Sequence, residues 1–147
     1  MNNPASTRNL VTAWNPAALD SVVLPPCHYS YQIHTPPDRT ISLQATMRST
    51  DLMVGLPYNI SSYATLLMLY AGLTNRKPDR LIMDLGNVHI YSQHIKNTKI
   101  QIMRNPLALP SLEITGGISP NLYGLHPSQF ELRNYNAHPY LKYEMIV

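Results

Sequence analysis

The chain has 147 residues, room for one domain with a real core but not for two independent ones. Apolar residues make up 44% and charged residues 13%, about half the usual charged share, which excludes disorder and suits burial against a partner. The formal charge of +3 favours an anionic ligand, but the 11 Lys and Arg never form a run, so a small phosphate suits this chain better than a nucleic acid polymer.

Thirteen prolines against six glycines make rigid, extended connections, and proline punctuates the chain. After Pro25-Pro26, the stretch Cys27 to His34 alternates in residue type, as a half-buried strand does. Pro36-Pro37-Asp38 turns the chain. From Thr40 to Ser49, Ile41, Leu43, Ala45 and Met47 alternate with Ser42, Gln44, Thr46 and Arg48, which predicts a second strand and a hairpin. A turn centred near Pro37 sets Cys27 opposite Met47 or Arg48. Gly55 and Pro57 read as breaks, and Ile60, Ala64, Leu67 and Ala71 then recur at helical spacing as far as Gly72 and Pro78. Leu81 to Leu85 reads as a short buried strand ending at Gly86. His89 and Tyr91 share a face only on extended backbone, so the next helix is expected to start near Ser92, with Ile95, Ile102 and Met103 inward. Short strands are expected at Leu112–Ile114 and Phe130–Leu132. With no internal repeat and no low-complexity tract, the whole reads as one continuous α+β unit.

Cys27 is the sole cysteine, which excludes a disulfide within the chain and a cysteine-rich zinc site, and fits a reducing compartment, the cytoplasm by default. Met1-Asn2-Asn3-Pro4 begins no apolar leader, and the greasiest stretch, Tyr63 to Leu73, is too short to cross a bilayer, so no membrane association is expected. A free cysteine is more often a small buried hydrophobe than a nucleophile. Here the hairpin register brings Arg48 close, and a guanidinium beside a thiol favours the thiolate that nucleophilic attack requires.

Arg48-Ser49 and Asp51 put a cation, a hydroxyl and a carboxylate within four residues, a set that suits a phosphate and equally suits a surface ion pair and a turn cap. Asn59 would by default cap a helix, but a side-chain amide can also read a pyrimidine edge because it carries donor and acceptor together. His89 and Tyr91 could bond a sugar hydroxyl. The six histidines form no HExxH and have no carboxylate at ligand spacing, so no metal is expected, and neither GxGxxG nor GxxxxGK[ST] occurs.

Taken in order, Ala13-Trp14-Asn15-Pro16, Leu24-Pro25-Pro26-Cys27-His28, Arg48-Ser49-Thr50-Asp51, Gly55-Leu56-Pro57-Tyr58-Asn59-Ile60 and Leu85-Gly86-Asn87-Val88-His89-Ile90-Tyr91 resemble the thymidylate synthase family. Arg104-Asn105-Pro106 through Leu109-Pro110, Tyr135-Asn136-Ala137-His138-Pro139 and the ending Glu144-Met145-Ile146-Val147 continue the match. The resemblance runs from about residue 8 to 147 and implies a single partial domain: the C-terminal half of an α+β fold with a mixed sheet and packed helices. The reaction it implies is a methyl transfer that converts dUMP to dTMP. Cys27 would add to C6 of dUMP, and C5 would take the methylene and then a hydride from 5,10-methylenetetrahydrofolate.

By the same match Arg48, Ser49 and Thr50 would hold the nucleotide at its phosphate end. Asn59 would meet the uracil edge, and His89, Ile90 and Tyr91 the ribose. Asp51 would face both substrate and pterin, and Ile146 would close over the folate. Arg8 would reach the phosphate of a second subunit, which implies a homodimer with shared sites, or else a complex with an N-terminal half. Two alternatives accompany this reading: a pyrimidine deoxynucleotide hydroxymethylase of the same fold, and a non-catalytic truncated remnant that binds nucleotide or a partner. Thr7, Met47 and Asn87 depart from the arginine, glutamine and aspartate usual in the family, and Tyr58 and Gln93 more mildly from Phe and Asn.

Overall fold

The computed structural model describes residues 6–118 and 122–146. The chain forms two compact units, divided in sequence between Ile90 and Tyr91.

The first unit carries strands β1 (Leu10–Thr12), β2 (His28–His34), β3 (Thr40–Met47), β4 (Thr50–Asp51), helix α1 (Gly55–Leu73) and strands β5 (Lys77–Leu85) and β6 (Val88–His89), with a 3-10 turn at Pro16–Ser21. Its main sheet has the order β1-β2-β3-β5, antiparallel except for the parallel pair β3–β5. A parallel pair needs a long crossover, and α1 lies in that connection. The β2–β3 hairpin forms as the alternation predicts: His28 pairs with Met47, and the Arg48 amide donates to the Cys27 carbonyl at 2.8 Å. Asp38 makes the turn, its Oδ1 accepting from the Thr40 amide at 3.0 Å and the Thr40 hydroxyl at 2.7 Å. Those bonds hold its carboxyl below the usual carboxylate range.

Ile33, Ile41, Leu43 and Ala45 of the sheet form the core with Tyr63, Leu67 and Ala71 of α1. The helix departs from its expected stripe. Leu56, Tyr63, Leu67 and Ala71 are buried, while Ile60 is 43% exposed. Tyr63 takes the inward position because its ring packs on Tyr31 and its hydroxyl finds a partner in His28. Gly55 and Pro57 open the helix rather than break the chain, since the first turn needs no amide donor from proline. β5 starts earlier than expected and is an edge strand of this sheet. Leu81 and Met83 pack on the core, but Ile82 and Leu85 are 38% and 37% exposed, so it is not the buried strand its composition suggested.

The second unit begins with a 3-10 turn at Ser92–His94 that runs into α2 (Ile95–Ile102), the start expected from the sequence. β7 (Ser111–Ile114) and β8 (Phe130–Arg133) pair antiparallel, Leu112 against Leu132. Arg133 bridges Glu113 at 3.3 Å and also pairs with Glu131. The inward residues expected on α2 are not inward: Ile95, Ile102 and Met103 are 47%, 72% and 81% exposed. Among the described residues of this unit no apolar side chain is buried, and the buried position falls on His94 instead.

Candidate active site

Pro25 and Pro26 have no amide protons, so this stretch offers its surroundings only carbonyl oxygens. Arg48, at the end of β3, takes both of them. Its Nε donates to the Pro26 carbonyl at 3.1 Å and its Nη2 to the Pro25 carbonyl at 2.6 Å. The same Nη2 stands 3.9 Å from Cys27 Sγ. A planar fork fixed at two acceptors holds its charge in place beside the thiol, and both side chains are half-buried.

Beyond Arg48 the chain turns at a point only glycine on the neighbouring strand permits. A methyl group at Gly86 would stand 2.7 Å from the Met47 carbonyl oxygen and 2.9 Å from that of Arg48. The Gly86 amide donates to the Met47 carbonyl at 2.8 Å. Asn87 follows at φ 36°, in the left-handed region that asparagine tolerates. β4 and β6 then pair in parallel, Thr50 with Val88 and Asp51 with His89, extended by the Leu52 amide donating to the His89 carbonyl at 3.0 Å. Two motifs nearly forty residues apart are thereby set side by side.

The sequence-predicted residues fall as follows. Ser49 is half-buried, and Thr50 is fully buried, its hydroxyl without a partner among the described residues. Asp51 Oδ1 accepts from the amides of Met53 at 3.1 Å and Val54 at 3.3 Å, the turn-capping role that the sequence left open beside a ligand role. Asn59 sits inside α1 rather than at its cap. It lines a cavity of about 390 Å³ together with Pro26, His28, Ser62 and Tyr63. Asn59 Oδ1 and Asp51 Cβ flank Gly55, each 3.7 Å from the place a methyl would take there. His89 Nδ1 donates to the Asn87 carbonyl at 2.8 Å, and Ile90, 38% exposed, ends the first unit.

Tyr91 opens the second unit on extended backbone, φ −65° and ψ 144°, the conformation expected for it. Ile146 is half-buried near the chain end. Arg8 is exposed and precedes β1, where Asn9 and Thr7 bond Ile33 and Gln32. That is the far end of β2 from Cys27, about 20 Å along the strand, so one chain does not bring Arg8 to Arg48.

The sequence did not single out the hydroxyl cluster that walls this cavity. His28 Nδ1 and the Tyr63 hydroxyl are 2.9 Å apart, as are the hydroxyls of Tyr31 and Tyr70. Burial first, then the bond to Tyr70, pushes the Tyr31 phenol far above the ordinary tyrosine range, and burial pushes Tyr63 up as well. Ten tyrosines against one phenylalanine was the available signal, since packing alone would not favour the hydroxyl. A second cavity, about 520 Å³, lies against Arg48, Trp14, Tyr29 and Thr12. Among the described residues no group of three or more His, Cys, Asp or Glu could hold a metal ion, and no helix is long and apolar enough to cross a membrane.

A thiol beside a fixed guanidinium thus lies next to a largely apolar cavity into which a carboxamide and several hydroxyls are set. The thymidylate synthase family matches over residues 1–147. The chain is 42% identical over 149 residues to a probable thymidylate synthase of Escherichia phage T5, covering 98% of this chain and 53% of the relative, so it spans about half that protein's length. With a family match along its whole length and a relative 42% identical over 98% of it, the chain belongs to the thymidylate synthase family.

Proposed function

We propose that this chain supplies the nucleophile and most of the nucleotide contacts for the reductive methylation of dUMP to dTMP. The observation that carries this reading is the 3.9 Å approach of Arg48 Nη2 to Cys27 Sγ in a chain of this family. Cys27 adds as thiolate to C6 of the pyrimidine, and the electron pair of the 5,6 double bond moves to C5. The folate, as co-substrate, supplies the one-carbon unit and then the hydride. C5 bonds that carbon, and the C5 proton leaves as the carbon's bond to the folate nitrogen breaks. Hydride from the tetrahydrofolate, oxidised thereby to dihydrofolate, then reaches the carbon as the Cys27–C6 bond breaks and the 5,6 double bond re-forms.

Arg48 is charge and clamp together: it holds a fixed positive charge beside Cys27 Sγ and, with Ser49 and Thr50, faces the phosphate. Asn59 presents N–H and C=O to the base, its orientation held by α1. His89, Ile90 and Tyr91 meet the ribose, and Asp51 and Ile146 the folate. Because Arg8 and Arg48 stand at opposite ends of β2, Arg8 serves the site of a second copy, which favours a homodimer. The chain works as one partial domain completed by an N-terminal half, since its relative is about twice as long. A lone catalytic thiol suits the cytoplasm.

The test is tritium release from dUMP labelled at C5, with the folate present, by the chain alone and by the chain mixed with an N-terminal half from a relative. Release in the mixture that is abolished by Cys27→Ser is the expected outcome. Nucleotide binding with no release in either sample would support the remnant reading. Release that yields a 5-hydroxymethyl product would support the hydroxymethylase.

A further inference from the structure

His94, 2% exposed, is the one buried side chain among the described residues of the second unit, and it is polar. Its Nε2 donates to the main-chain carbonyl of Glu144 at 2.7 Å. Its ring makes edge-on contacts with two tyrosines, Tyr91 at 5.7 Å and 78° and Tyr143 at 5.3 Å and 86°. Its backbone is fixed as well, with the His94 amide donating to the Tyr91 carbonyl at 2.9 Å and the Thr98 hydroxyl donating to the His94 carbonyl at 2.9 Å. Yet His94 Nδ1 and the Tyr143 hydroxyl are buried without a partner among the described residues. An apolar ring would pack here without stranding Nδ1. What the imidazole adds is the Nε2 donor, aimed at the main chain of the tail. Asn97, one turn on, does the same to the Lys142 carbonyl at 2.7 Å.

We propose that His94 is a positioning residue that clasps residues 142–144 to the Tyr91 ring, and so sets the point from which the tail bearing Ile146 reaches out. This rests on the function proposed above, in which Tyr91 meets the nucleotide and Ile146 the folate. One side chain then joins the two, and a nucleotide that orders Tyr91 also orders the root of the tail.

The experiment is digestion of the whole chain, without ligand, by carboxypeptidase Y under native conditions, followed by intact mass. Wild type loses the residues beyond Glu144 and then stalls. His94→Phe keeps a buried ring and removes the donor, and it releases Glu144 and Tyr143 about tenfold faster. His94→Gln, with an amide donor, stays within about threefold of wild type. Tyr143→Phe removes only the unpaired hydroxyl and leaves the rate unchanged. Should His94→Phe lose its circular-dichroism signature, His94→Asn, whose shorter amide falls short of the carbonyl, replaces it with the same expected acceleration. Wild-type release from a folded His94→Phe or His94→Asn overturns the clasp. So does equal acceleration by Tyr143→Phe. Since no ligand is present, failure of nucleotide or folate to bind would leave this result standing.

Discussion

Residues 6–90 bury nine apolar side chains, from Ile33 to Ala71, whereas the described residues of 91–146 bury none and enclose only His94. The first unit is a sheet covered by a helix, and the second is a set of short elements tied by side chains to main-chain carbonyls: His94 to Glu144, Asn97 to Lys142, Arg104 to Pro139. The difference teaches where folding free energy comes from in each. Non-directional burial stabilises the first, and a few directional bonds hold the second, which leaves Ile102, Met103, Leu109 and Met145 more than 70% exposed.

Substitution separates the two modes. Leu43→Ala, at a fully buried position, is expected to cost about 2–5 kcal/mol in urea unfolding, and Ile102→Ala less than about 0.5 kcal/mol. Comparable losses would break the distinction. Gly86→Ala tests whether the corner of the first unit is as demanding as its core. The added methyl meets main-chain carbonyls, which cannot swing aside, and a loss of about 1–3 kcal/mol is expected from the same measurement.

At that corner Arg48→Ala should slow alkylation of Cys27 by iodoacetamide roughly threefold to tenfold, with the melting temperature falling only slightly. Equal rates would mean that the guanidinium serves the loop alone. The smallest effect lies in the tyrosine cluster. Tyr31 holds its proton more tightly folded than unfolded, so the stability it contributes is complete below about pH 10 and is lost as pH rises above that. Tyr31→Phe should therefore flatten the alkaline limb of a stability–pH curve and lower its neutral plateau by only about 1 kcal/mol, for the lost bond to Tyr70.

The hairpin was legible because alternation and a proline turn act locally, and its register alone brought Arg48 to Cys27. On α1 the helical spacing held for Leu67 and Ala71 but set Ile60 inward and overlooked Tyr63, a residue with a buried ring and a bonded hydroxyl. β4 and β6 were invisible because two-residue strands have no period. Their pairing depends on Gly86, whose role shows only when the carbonyls of Met47 and Arg48 are set against it. α2 misled for a different reason. Ile95, Ile102 and Met103 carry an apolar signal, but the signal says nothing about whether a partner surface exists. Asp51 was readable as residue and motif, while its capping bonds to Met53 and Val54 depended on where the helix began.

The two carbonyls that Arg48 grips belong to residues without amide protons. The segment leading into Cys27 is therefore silent to hydrogen exchange and to amide-detected NMR, the methods ordinarily used to watch a loop move. After a substitution at Arg48, loosening at these two prolines would leave no direct trace of their own in an exchange profile. Carbon-detected spectra of Pro25 and Pro26, or fluorinated proline at those positions, would be needed to see the segment before Cys27 loosen.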